Sequence, residues 1–92
     1  MSAATHRVLQ IINEKGLHAR ASAKFVEVVE GFDASAEVHK DGMNASGDSI
    51  MGLLMLAASK GTSIEVQTSG PDAEALATAI EALVADCFGE GR

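Results

Sequence analysis

Ninety-two residues with 47% hydrophobic content are enough for one domain with a modest core, and only three aromatic residues mean that core is built from Ala, Val, Ile, Leu and Met. The net charge of −6 and a pI near 4.8 argue against a nucleic-acid binder, whose surface is ordinarily basic. One cysteine excludes an internal disulfide, no apolar run spans a bilayer, and the short polar N-terminus is not a secretory signal, so a cytoplasmic protein is expected.

Residues 6–12 read as a strand, with Leu9 and Ile11 facing one way and Val8, Gln10 and Ile12 the other. A helix follows over Ala19–Glu30. Ala21, Phe25, Val28 and Phe32 recur at helical spacing, Ser22 and Val29 lie beside them, and Lys24 and Glu27 point to solvent before Gly31 ends the element. Residues 34–39 alternate, with Ala34, Ala36 and Val38 inward and Ser35, Glu37 and His39 outward. Asp41-Gly42 signals a two-residue hairpin into a short strand near Met43–Ser46. A short helix is expected at Ser49–Ala57 and, beyond Gly61, a strand carrying Ile64 and Val66. Gly70-Pro71 should open the last helix with Pro in its first turn. Its stripe is Ala73, Leu76, Ala77, Ile80, Leu83, Val84 and Cys87, which makes Cys87 a buried structural thiol. Gly89-Glu90-Gly91-Arg92 should fray.

This order, β-α-β-β-α-β-α, gives one sheet and three helices that each carry a single apolar stripe. The simplest packing sets all three helices on one sheet face and leaves the other to water. Outward Gln10, Ser35, Glu37, His39, Glu65 and Gln67 agree with such an open-faced α+β sandwich, a single domain over residues 1–92.

The chemistry concentrates at Gly16-Leu-His18-Ala-Arg20-Ala-Ser-Ala-Lys24-Phe25. His18 falls at the start of the first helix, outside its apolar stripe. The first N–H groups of a helix lack intrahelical partners and its macrodipole leaves that end partly positive, so the place suits an anion. An imidazole there can aim a ring nitrogen at a phosphoryl group. Backbone N–H groups of Ala19, Arg20 and Ala21 would hold its oxygens, and Arg20 adds a planar cationic fork. Lys15 and Lys24 make the neighbourhood basic on an acidic body. A lone His-x-Arg is weak evidence, since a lone histidine is more often a surface or cap residue.

Two further segments strengthen the case: Gly47-Asp48-Ser49-Ile50-Met51-Gly52-Leu53-Leu54-Met55-Leu56 and Lys60-Gly61-Thr62-Ser63-Ile64-Glu65-Val66. With the His18 segment they resemble, in order and spacing, the histidine-containing phosphocarrier (HPr) family of the bacterial phosphotransferase system. The resemblance implies an HPr-like fold and a carrier with no turnover of its own. In that family the histidine takes a phosphoryl group on Nδ1 from phosphorylated enzyme I, which is charged by phosphoenolpyruvate, and hands it to an enzyme IIA component. His18 would be the phosphohistidine, with Arg20 beside it. Imidazole suits the task because its unperturbed pKa leaves an unprotonated nitrogen near neutral pH. No cofactor and no metal are expected, and His6 and His39 lack ligand spacing.

Ser49 matches the family's regulatory serine, the target of HPr kinase/phosphorylase in some bacteria, and its structural role is a helix N-cap for which Asp48 competes. A phosphate there would add about −1.5 to −2 charges beside a docking surface. The second helix has too many apolar residues for one stripe, so Ile50, Met51 and Met55 should form an exposed docking patch near His18, with Lys24 contributing. The family usually has Pro where this chain has Ala21, which adds an N–H that would reach the ring or the phosphoryl. The alternative reading is a regulatory HPr-like protein acting through the phosphorylation state of His18 or Ser49, including the nitrogen-related branch. A monomer without membrane insertion fits a carrier that shows one face to successive partners.

Overall fold

The computed structural model describes residues 3–92. Strand β1 (Ala3–Gln10) leads to helix α1 (Ala19–Glu30), the hairpin β2 (Ser35–Lys40) and β3 (Met43–Ser46), the short helix α2 (Ile50–Met55), strand β4 (Ser63–Gly70) and helix α3 (Ala73–Ala85). A 3-10 turn, Cys87–Gly89, follows α3. The four strands form one antiparallel sheet in the order β1-β4-β2-β3. Each helix inserts its apolar stripe on the same side of that sheet, so the expected open-faced sandwich is the fold observed.

Alternation along the strands does the sorting. Leu9, Val38, Ile64 and Val66 are buried, while Val8, Gln10, Glu37, Glu65 and Gln67 face water. On the open face His6 meets Glu65 and His39 meets Glu37 at 2.9 and 2.7 Å, and His39 is half-buried rather than fully outward. No group of side chains suited to holding a metal ion occurs among the described residues. The core centres on Phe25, Ile11, Leu53, Ile64, Leu76, Ile80 and Phe88, each fully buried and each contributing roughly 1.5–3 kcal/mol by leaving water. None of the helices among the described residues is long and apolar enough to cross a membrane.

The Asp41-Gly42 turn forms as its sequence requires, with φ of 51° and 80° at the two central residues. Helix α1 has the expected bounds, although Val26 is buried and Val28 only partly so, which turns its buried face slightly from the predicted stripe. Gly31 caps it in the right-handed region at φ −81°, so the stop is made by its N–H reaching Val28 and not by left-handed geometry.

Three expectations fail at the chain's end. Pro71 lies before α3 and not in its first turn, because β4 continues to Gly70 and Asp72 is the N-cap residue. The Asp72 carboxylate accepts from the Asp33 N–H instead of capping its own helix. Cys87 is not on the α3 stripe. The helix stops at Ala85, and positive φ at Cys87 and Phe88 turns the chain so that Phe88 fills the core while Cys87 stays half-exposed. The tail that should fray is therefore anchored through Phe88.

Candidate functional site

A buried turn carries the site. Gly16 has φ +64°, and a Cβ on it would sit 2.4 Å from the Ala58 carbonyl oxygen, so only glycine fits. The neighbouring Leu17 N–H donates to that same carbonyl at 2.8 Å. The loop before α1 is thus stitched to the segment after α2, which brings the end of α2 beside the start of α1. Asn13, fully buried, closes the turn by donating through Nδ2 to the Gly16 carbonyl at 2.9 Å.

His18 is the N-cap of α1, in extended backbone geometry. Its Nδ1 accepts the Arg20 N–H at 3.3 Å, a long hydrogen bond that caps the helix weakly. The donor to the ring is therefore Arg20 rather than the Ala21 N–H considered from the sequence. Ala21 is completely buried and packs inward. Arg20 is exposed, and its guanidinium makes no ion pair among the described residues. The ring is half-buried instead of freely exposed, because its Nε2 is in hydrogen-bond contact with Glu90 Oε2. The other Glu90 oxygen accepts from Asn13 Nδ2 at 3.0 Å.

Burial by itself would raise the Glu90 carboxyl pKa. Hydrogen bonds from Asn13 and His18, then the charges of His18 and Lys15, outweigh it and hold that carboxyl below its ordinary value. Lys24 does not point freely to solvent as expected. Its Nζ donates to the Phe88 carbonyl at 2.8 Å and braces the tail. Around His18 lies an open pocket of about 680 Å³, whose cationic wall is Lys15, Arg20, Lys24 and Arg92 and whose carboxylates are Glu14 and Glu90. An anion entering it meets a helix N-terminus, a ring nitrogen and four cations.

The second candidate residue, Ser49, is the N-cap of α2. Its Oγ accepts the Gly52 N–H at 3.0 Å, while Asp48 is taken up by the Ser46 hydroxyl. Ile50, Met51 and Met55 stand exposed at 40%, 69% and 69%, while Leu53 and Leu56 are buried. The apolar patch anticipated from the crowded helix is present, and Met43 adds to the exposed apolar surface. Nothing local in the chain singles out Glu90. A carboxylate in a glycine-flanked tail carries no periodicity, and only the Phe88 anchor delivers it to the ring.

A small open-faced sandwich presenting one histidine at a helix N-terminus among cations has the form of a carrier for an anionic group. The particular family follows from comparison. The family model described as the PTS HPr component phosphorylation site matches residues 5–86. The chain is 47% identical to the phosphocarrier protein HPr of Neisseria meningitidis serogroup A over 90% of this chain and 93% of that protein. It is 39% identical to the phosphocarrier protein NPr of Escherichia coli over 91% and 94%. A crystal structure of HPr-C-His from Thermoanaerobacter tengcongensis superposes with a TM-score of 0.89 at 34% identity, covering 94% of this chain and 97% of that one. The chain belongs to the HPr family of the phosphotransferase system and is a phosphocarrier, not a catalytic enzyme.

Proposed function

We propose that His18 is the phosphoryl acceptor, receiving the group from phosphorylated enzyme I and passing it to an enzyme IIA component. The observation that carries this reading is the place and loose hold of Nδ1: it lies at the N-terminus of α1 in the lining of the cationic pocket, and among the described residues its one hydrogen bond is the long one from the Arg20 N–H, which an incoming phosphoryl group can displace. Transfer forms an Nδ1–P bond as the donor's own bond to phosphorus breaks and the donor atom keeps that electron pair. Arg20, with the N–H groups of Ala19 and Arg20, supports the phosphoryl oxygens. Because the pocket is open, the group can leave again. The exposed Ile50, Met51 and Met55 lie on the side of the site that the Gly16–Ala58 contact brings close, and they serve as the docking surface for both partners. Ser49 is the regulatory phosphorylation site for an HPr kinase/phosphorylase on that same surface. The whole chain acts as a single carrier domain.

Intact-protein mass after incubation with enzyme I, Mg²⁺ and phosphoenolpyruvate tests this. The wild type gains one acid-labile phosphoryl and His18→Ala gains none. Met51→Asp keeps its fold and is labelled at least about tenfold more slowly, the scale of losing one interface anchor. A labelled His18→Ala protein overturns the assignment.

A further inference from the structure

In the Asn13–Glu90–His18 chain of contacts, Glu90 lies beyond residues 5–86, the stretch that the family model matches. Its chemistry can be read atom by atom. Nδ1 of His18 accepts the Arg20 N–H, so it carries a lone pair and no proton. Glu90 Oε2, on an ionised carboxylate, only accepts, so Nε2 must carry the proton. Glu90 is itself fixed, because Asn13 Nδ2 holds its other oxygen from a fully buried position and Phe88 anchors the backbone two residues earlier.

We propose that Glu90 is a positioning residue for phosphoryl transfer, locking His18 in the Nε2–H tautomer so that Nδ1 stays unprotonated, held only by the long hydrogen bond from the Arg20 N–H. The arrangement has the logic of a ligand histidine oriented by a carboxylate behind it. The lock matters in both directions. When the Nδ1–P bond forms, the Nε2 proton stays in place, and the ring's positive charge faces the Glu90 carboxylate. When the bond breaks toward the next acceptor, the electron pair returns to Nδ1 and neutral imidazole is released, already carrying its Nε2 proton. No base or acid from solvent is needed in either step. The other charged groups lining the pocket are Glu14, Lys15, Arg20, Lys24 and Arg92, none of which is in hydrogen-bond contact with Nε2.

Glu90→Gln is the discriminating variant. With its oxygen held by Asn13 Nδ2, the glutamine amide presents N–H groups to the ring and favours the opposite tautomer. The nitrogen-15 chemical shifts of the unphosphorylated His18 ring read the tautomer directly, with no enzyme I present. Wild type should show a protonated Nε2, and Glu90→Gln should move population toward Nδ1–H. The rate of phosphoryl acceptance should fall about tenfold, the scale of exchanging one charge-assisted hydrogen bond for a neutral one, while the unfolding midpoint stays close to that of wild type. Unchanged ring shifts in Glu90→Gln overturn the proposal. This inference rests on His18 as acceptor only for its kinetic arm. A protein that shows the tautomer shift yet takes no phosphoryl group in either form would sink the acceptor assignment and leave the lock standing.

Discussion

Two helix N-termini in this small protein look alike in outline and differ in use. At α1 the capping side chain is His18, whose Nδ1 accepts an N–H at 3.3 Å; at α2 it is Ser49, whose Oγ accepts one at 3.0 Å. Serine is a good cap because its short oxygen reaches the third N–H with little strain, and histidine is a poor one. The α1 end therefore gives up capping strength and leaves a loosely held ring nitrogen in the lining of the pocket. The surroundings diverge in the same sense. His18 is backed by a carboxylate and ringed by cations, while Ser49 opens a helix whose outer face is apolar. A helix N-terminus is thus only a platform, and the cap residue with its neighbours decides whether it binds a group, holds a partner or just ends a helix.

The largest test of that contrast acts on what the two ends share. Phe25 is fully buried on α1, and its ring lies 3.3 Å from where a Cβ on Gly47 would project, two residues before the α2 cap. Phe25→Ala should cost about 3–5 kcal/mol from lost burial and the cavity left behind, read as a fall in the denaturant midpoint. Amide exchange should speed up at both Arg20 and Gly52. If only one of those amides loses protection, the two ends are energetically separate and the comparison breaks.

The same contrast explains how far the sequence could be read. Period and punctuation made the fold legible: strict alternation in β2 and β4, the 3.6-residue stripe of α1, and Asp41-Gly42 each act through neighbours a few residues away. His18 and Ser49 were legible because capping is also local. The C-terminal segment was not, for a physical reason. Cys87 continues the apolar period of α3, so local pattern extends the helix through it. A tertiary demand overrides this, because the core has room for Phe88 and the chain adopts positive φ at two non-glycine residues to deliver it. Glu90 arrives at His18 as a consequence of that burial, and a contact spanning 72 residues leaves no mark in the periodicity. Lys24 departs from its solvent-facing pattern for the same reason: its partner, the Phe88 carbonyl, belongs to the tail.

A smaller effect sharpens the α2 half of the comparison. Ser49→Ala should destabilise the protein by about 1 kcal/mol through loss of the cap, or roughly 4–8 °C in Tm for a domain of this size. Ser49→Asp should keep stability within about 0.5 kcal/mol of wild type, because aspartate caps as well as serine. If Ser49 is the regulatory site of a docking surface, the Asp variant nevertheless accepts phosphoryl from enzyme I more slowly than the Ala variant does. Equal rates for the two would reduce Ser49 to a cap, and the two helix ends would then differ even more than their geometry shows.

The smallest effect concerns the α1 half and has a definite sign. The Glu90 carboxyl is held below its ordinary value of 4.5 in the folded protein. A group whose folded pKa is depressed adds stability that is fully present above its unfolded value. That stability is lost as pH falls through the folded one. The Asn13 and His18 contacts should therefore stabilise the fold at neutral pH and cease to do so in the acid range below about 4.5, where the unfolded carboxyl takes up its proton first. Paired unfolding curves of wild type and Glu90→Gln, at pH 7 and at pH 3, isolate this contribution from those of the other carboxylates. The stability gap between the two proteins should narrow toward acid and stay smaller than the loss in Ser49→Ala, because water at the pocket mouth screens the pair. A gap that widens toward acid would mean that Glu90 is strained against the ring instead of stabilised by it. The carboxylate behind His18 would then be held there by the Phe88 anchor alone.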